Sequence, residues 1–189
     1  MSELELVGLC GALRAGSTNR KLMHVAARRF GAARFIEGDL RLPLYDGDLE
    51  AAQGIPEEVA QLADLVGAAD AVIIACPEYN KGVSGVMKNA LDWLSRVKGG
   101  VWRDKPVAIM SAAAGRAGGE RSQYMLRLCL TPFRAQVLPG PEVLVADSAN
   151  AFDDAGMLKA ESAVALIDDL MGDLRRAALQ RRQGAAAAA

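Results

Sequence analysis

The 189 residues include 22 Lys and Arg against 23 Asp and Glu, a formal net charge of −1, which argues against a general affinity for nucleic acid or other polyanions. Hydrophobic residues make up 51% of the chain without an interior composition break, so residues 1–183 are expected to form one domain, followed by an Ala-rich disordered tail at 184–189. No apolar run approaches the ~20 residues that cross a bilayer, and the start Met1-Ser2-Glu3-Leu4-Glu5 is acidic where a secretory signal is basic; a cytoplasmic protein with no membrane partner is expected.

Leu4 to Cys10 is a short apolar run that ends in a loop rich in Gly, Ser and Asn, and Asn19 to Phe30 carries helix formers. Arg34 to Glu37 can add a second strand. Leu40 to Gly54 reads as irregular, after which Pro56 opens a helix with Glu57 and Glu58 in its first turn. Asp70 to Cys76 is a continuous, largely β-branched run, the pattern of a strand buried on both faces.

Val83, Val86, Met87, Ala90, Leu91 and Leu94 then recur at helical spacing, which predicts a helix with one buried face. Pro106 to Ser111 is a fourth strand followed by the small-residue loop Ala112 to Gly119 and a helix containing Tyr124 to Leu130. Leu138 to Val145 holds a fifth, shorter strand, and Met157 to Arg182 a terminal helix.

Strands alternating with helices predict an α/β fold, an open, doubly wound, five-stranded parallel sheet with helices on both faces, because each parallel connection needs a crossover. Such sheets bind ligands beyond the carboxyl ends of their strands, where the strand order reverses. In the order 2-1-3-4-5 that point lies between the first and third strands. The loops after those strands, Gly11 to Asn19 and Pro77 to Gly85, are also the most polar and unusual in the chain.

Gly11 to Asn19 joins a strand to a helix, where free backbone N–H groups and the helix dipole favour an anion. Arg14, Ser17, Thr18 and Asn19 add a cation, hydroxyls and an amide, a set suited to phosphate; an ordinary Gly/Ser turn with a helix cap would use the same residues. Three known phosphate motifs fail here. No lysine follows Gly16, as a nucleotide-triphosphate loop requires, and the spacing of Gly8, Gly11 and Gly16 breaks the dinucleotide fingerprint. A phosphatase loop built on Cys10 would need arginine where Gly16 stands.

The second loop, Pro77-Glu78-Tyr79-Asn80, presents an aromatic face with amide and carboxylate groups, a setting for a flat heteroaromatic ring or, equally, a packed turn. Cys10, Cys76 and Cys129 lack metal or disulfide spacing and read as reduced core residues, and one histidine, His24, supports no triad.

Gly11-Ala12-Leu13-Arg14-Ala15-Gly16-Ser17-Thr18-Asn19 resembles the GSLRxxSxN phosphate loop of the NAD(P)H-dependent FMN reductase family, flavodoxin-like enzymes that include bacterial quinone, azo-dye and chromate reductases. Pro77 to Asn80 followed by Gly85 to Arg96 is similar to the family's PEYN...GxLKNAIDWLSR block, and Lys105 to Ala108, Gly118-Gly119 and Gln123-Tyr124 to its KPVA...GG...Q segment. These blocks stand in family order between about Leu4 and Val145. Two departures are visible: Ala12 replaces the usual serine, and Ala112 to Arg116 replaces a Ser-Pro-Gly type of loop.

The resemblance implies that Arg14, Ser17 and Asn19 hold the FMN phosphate, and Thr18 adds a hydroxyl of the same loop to that set. It implies that Pro77, Glu78, Tyr79 and Asn80 line the isoalloxazine, with Ser111 and Gly115 flanking it. NADPH or NADH would be co-substrate and a quinone, azo or nitro compound, chromate or flavin the acceptor, in a ping-pong cycle without a catalytic side chain. A homodimer through helix 83–96 is implied, and contacts at Arg121, Tyr124 and Glu142 would extend it to a homotetramer. A flavodoxin-type electron carrier and a non-catalytic FMN-binding module remain the alternative readings.

Overall fold

The computed structural model describes residues 3–188. Five parallel positions make up the main sheet. Strands β1 (Leu4–Cys10), β2 (Ala33–Gly38) and β3 (Ala71–Ala75) pair in the order β2-β1-β3, and β6 (Pro106–Ala112) pairs with β3 on its far side. The fifth position is shared by β7 (Gln136–Val137) and β8 (Val143–Val145), both parallel to β6. This is the flavodoxin-like order expected for the chain.

The two faces of the sheet show why β3 lacks alternation. Ala71, Ile73 and Ala75 point into a core built with α1 (Thr18–Phe30) and α6 (Glu161–Ala188), where Leu22, Met23, Leu170 and Leu174 are buried. Val72, Ile74 and Cys76 enter the opposite core, filled from α3 (Glu57–Ala68), α4 (Gly85–Leu94) and α5 (Glu120–Leu130) by Leu62, Val66, Met87, Leu91 and Leu126. With both faces covered, every residue of β3 is apolar and buried.

Several elements differ from the sequence reading. The fifth strand is broken: β7 pairs beside Pro106–Val107 and β8 beside Met110–Ala112, and Pro139 and Pro141 in the gap have no N–H to offer a ladder. Within the stretch read as irregular lies α2 (Gly47–Gln53), capped by the Asp46 side chain on the Asp48 N–H; none of its residues is buried, so it carries no apolar period. Helix α6 begins at Glu161, because residues 151–159 are tied into a bridge between Phe152 and Leu158, and the helix continues through the described part of the alanine run.

The apolar stripe of α4 is already covered within the chain. Met87, Ala90, Leu91 and Leu94 pack under the sheet, and Trp93 is fully buried with its indole N–H donating to the Pro43 carbonyl at 2.8 Å. Contact with a second subunit is therefore not needed to bury this face.

Candidate functional site

The loops after β1, β3 and β6 meet at the carboxyl ends of the strands. They enclose a cavity of about 270 Å³ lined by Ala12, Arg14 and Ser17 to Asn19 from the first, Pro77 to Tyr79 from the second, and Ala112 to Ala114 from the third. A cavity of about 390 Å³ lies alongside, bounded by Gly115 to Gly119 and Arg121, and shares Glu78, Ala113 and Ala114 with it. The two form one groove at the switch point. Another cleft, of about 350 Å³, opens between β1 and β2, but its charges are consumed locally: Arg20 bonds Glu37 at 2.6 Å and Arg41 bonds Asp39 at 3.1 Å.

The first loop is shaped by a close backbone approach. A Cβ on Gly11 would come within 2.8 Å of the Ser84 hydroxyl and 2.9 Å of the Cys76 sulfur, so glycine lets this loop lie against the start of the second. Ser17 is the N-cap of α1, its hydroxyl accepting from the Arg20 N–H at 3.2 Å. The N–H groups of a first helical turn have no partner inside the helix, and those of α1 open where Thr18 and Ser17 line the cavity. Arg14 is exposed, its guanidinium reaching only the Gly16 carbonyl, at 3.2 Å, among the described residues, which leaves a cation at the mouth of the groove.

Asn19 is placed differently from the rest. It is 2% exposed, and its carboxamide forms a two-way bond with the backbone of Ala112, donating to the carbonyl at 2.8 Å and accepting from the N–H at 2.9 Å. It lines the cavity while clamping the end of β6.

The second loop is a two-stranded hairpin, β4 (Glu78–Tyr79) and β5 (Gly82–Val83). Asn80 and Lys81 at its tip both have positive φ, 50° and 64°, as a tight two-residue hairpin turn with matching twist demands. Pro77 is buried against the first loop, and Tyr79 presents an aromatic ring that is 53% exposed. Asn80 is exposed at the turn and does not line the cavities. The Glu78 carboxylate accepts from the Arg121 backbone N–H at 3.1 Å in the first turn of α5 and pairs with the Arg121 guanidinium at 3.6 Å. Its charge is thus spent on a helix N-terminus.

In the third loop Gly115 lies open on the groove, but Ser111 stands behind it, fully buried. The Ser111 hydroxyl donates to the Gly118 carbonyl at 2.7 Å and accepts from the Gln123 amide at 2.9 Å. Ser148 also borders the cavity, its N–H donating to the Ala113 carbonyl at 3.1 Å. Sequence reading missed it, since it lies in an irregular segment far from the three motif blocks.

The thiols are buried spectators. Burial pushes Cys10 up despite an opposing backbone hydrogen bond at Ala12, and pushes Cys76 up to about 11. Neither is a nucleophile at neutral pH. Among the described residues no cluster of His, Cys, Asp or Glu could hold a metal ion, and no helix is long and apolar enough to cross a membrane.

Comparison with known proteins agrees with this geometry. Residues 4–150 match the family model for NADPH-dependent FMN reductase. An NAD(P)H-dependent FMN reductase of Pseudomonas aeruginosa is 38% identical over 175 residues, covering 92% of this chain and 94% of its own. A quinone reductase of Escherichia coli is 39% identical over 148 residues, covering 76% and 79% respectively. Among solved structures, the flavoenzyme NAD(P)H:(acceptor) oxidoreductase of Paracoccus denitrificans superposes with a TM-score of 0.84 at 28% identity, over 94% of this chain and 98% of that one. The groove at the switch point, the matched residues and these relatives together make the chain a member of the NADPH-dependent FMN reductase family.

Proposed function

We propose that the protein uses NADPH or NADH to reduce small quinones, through FMN held in the groove across the three loops. The observation that carries this reading is the division of labour along the groove. One end offers Arg14, Ser17, Thr18 and the N-terminus of α1, donors and a cation that suit a phosphate. The other is walled by Ala113, Ala114 and Gly115 opposite the Tyr79 hairpin, small and aromatic surfaces that suit a flat ring.

Bound FMN would supply the redox chemistry, taking a hydride from the nicotinamide and passing reducing equivalents to an acceptor. This chain's own residues bind and orient. Arg14 and the α1 N-terminus neutralise the phosphate, and Pro77 and the tight hairpin turn hold Tyr79 beside the ring site. Glu78 stays turned toward α5, so its carboxylate neither opposes negative charge at the ring nor delivers a proton. Nucleotide and acceptor use the same open side in turn, which gives ping-pong kinetics. Ala12 removes one hydroxyl from the phosphate end; at about 0.5–1.5 kcal/mol for one hydrogen bond, FMN binding weakens several-fold and survives.

A homodimer through helix 83–96 belongs to the same reading. Since the inner face of α4 is used within the chain, the contact falls to its outer face and to the neighbouring Leu44, which is 82% exposed. Arg121, Tyr124 and Glu142 would join two dimers. Tyr124 is exposed, and the charges of Glu142 and Glu120 push its hydroxyl pKa up, which places these groups together on the surface. A cytoplasmic location accords with three free thiols. Light scattering that shows a monomer at micromolar concentration removes both interfaces.

The first test is an absorbance spectrum of the purified protein, supplied with FMN and then with NADPH in the absence of oxygen. Flavin absorbance that bleaches on NADPH and returns on adding a quinone supports the reading. Failure to bind FMN overturns it.

A further inference from the structure

The wall of the groove formed by residues 113–117 has almost no side chains of its own with which to hold its shape. Ala113, Ala114 and Gly115 carry nothing polar, Arg116 is exposed, and a Cβ on Gly115 would meet nothing within 4 Å. A flat ligand gains from a wall set in place beforehand, since ordering a loop on binding costs free energy.

Two buried amides from other elements fix that wall. Asn19, in the first turn of α1, holds its start through both bonds to Ala112. Gln123, from α5, holds its end: its amide nitrogen donates to Ser111 and to the Val143 carbonyl, both at 2.9 Å, and Ser111 passes the restraint to the Gly118 carbonyl. The Gln123 carbonyl oxygen is buried without a partner among the described residues. Both hydrogens of the Gln123 amide nitrogen are thus committed to the frame of the wall.

We propose that Asn19 and Gln123 are positioning residues that preform the 112–118 wall for the planar ring, and that Asn19 serves this end rather than gripping the phosphate. The inference rests on the flavin reading of the groove. It also makes α1 a shared support, because the helix whose N-terminus meets the phosphate carries the amide that sets the ring wall one residue beyond Thr18.

Riboflavin, which has the ring and no phosphate, separates the roles. The full chain, freed of flavin, is titrated with FMN and with riboflavin by fluorescence quenching, and its melting temperature is measured without flavin. Asn19→Ala should weaken both flavins by a common factor of about ten, and Ser111→Ala and Gln123→Met by a common factor of about three to ten. Arg14→Ala, as the control, should weaken FMN and spare riboflavin.

Should Asn19→Ala not fold, Ser111→Ala carries the test at the opposite end of the wall, and Asn19→Thr, which adds no charge near the phosphate and can keep at most one of the two bonds, carries it at the first. Loss of FMN affinity alone in the Asn19 variants makes Asn19 a phosphate ligand and overturns the inference. So does a lowered melting temperature with both dissociation constants unchanged. A wild-type protein that binds neither flavin overturns the flavin reading, and this inference with it; binding of both by wild type and all wall variants alike overturns the inference alone.

Discussion

The two ends of the sheet handle polar groups in opposite ways. At the amino ends, ionic side chains are paired within the fold: Asp70 accepts from the Glu5 N–H at 2.8 Å and from Arg182 Nε at 3.0 Å, and the Lys105 ammonium donates to the carbonyls of Gly67 and Ala69 at the C-terminal end of α3. At the carboxyl ends the buried polar side chains, Asn19, Ser111 and Gln123, are neutral and bond backbone, while the cation Arg14 is left at the surface. One end closes the fold on itself. The other holds its third loop with uncharged bonds and leaves Arg14 without a carboxylate partner among the described residues, so changes at the two ends should separate stability from binding.

The largest effect is expected where the binding end is built on backbone alone. Gly118 has a φ of +59°, and a Cβ there would lie 2.7 Å from the Leu144 carbonyl carbon and 2.9 Å from the Val145 nitrogen. Backbone cannot yield as a flexible side chain can. Gly118→Ala should cost about 3 kcal/mol in urea unfolding and distort the wall, whereas Gly16→Ala and Gly115→Ala, which meet nothing within 4 Å, should be nearly neutral for stability. Equal melting temperatures for Gly118→Ala and Gly115→Ala would break this account of the third loop.

Next in size is Asp70→Ala at the amino end. It strands the Glu5 N–H and removes one of the partners of Arg182, a loss of about 2 kcal/mol, with FMN affinity unchanged because the site lies at the far ends of the strands. A weakened FMN dissociation constant would show that the two ends are coupled. Arg14→Ala should give the converse: FMN binding weaker by about tenfold or more, from loss of a charge-assisted contact, with thermal stability altered by less than about 0.5 kcal/mol.

The difference between the ends also explains what could be read from the sequence. The strands β1, β3 and β6 and the first loop are local statements: apolar runs, a Gly/Ser loop, a capping serine. The hairpin at 78–83 was hidden because its turn uses Asn80 and Lys81 at positive φ where glycine is the usual signal. Helix α2 buries nothing, so only its cap Asp46 and the following acidic turn could have marked it. The fifth strand looked continuous because its apolar residues flank two prolines. Asn19 and Gln123 were visible as motif residues, but Asn19 meets Ala112 across 93 positions of chain, and no local pattern tells a side chain that holds phosphate from one that holds a distant loop.

The last expected effect is a pH dependence at the amino end. Burial, aided by the charge of Arg181 and opposed by Asp70, pushes the Lys105 ammonium from its ordinary value of 10.5 down to about 8. Between pH 8 and 10.5 the unfolded chain keeps this proton while the folded chain gives it up. Stability from this group therefore rises with pH through that window, by at most ~1.4 kcal/mol per pH unit. Below pH 8 both states are protonated and the penalty for burying the charge is constant. The measurement is the difference in urea midpoint between wild type and Lys105→Met at pH 7.5, 8.5 and 9.5, where groups common to both proteins cancel. Wild type should gain on the variant over this range, with no matching change in FMN affinity. A flat difference would mean that the carbonyls of Gly67 and Ala69 keep the ammonium charged, so that carbonyl dipoles at a helix end offset its burial as fully as a carboxylate would.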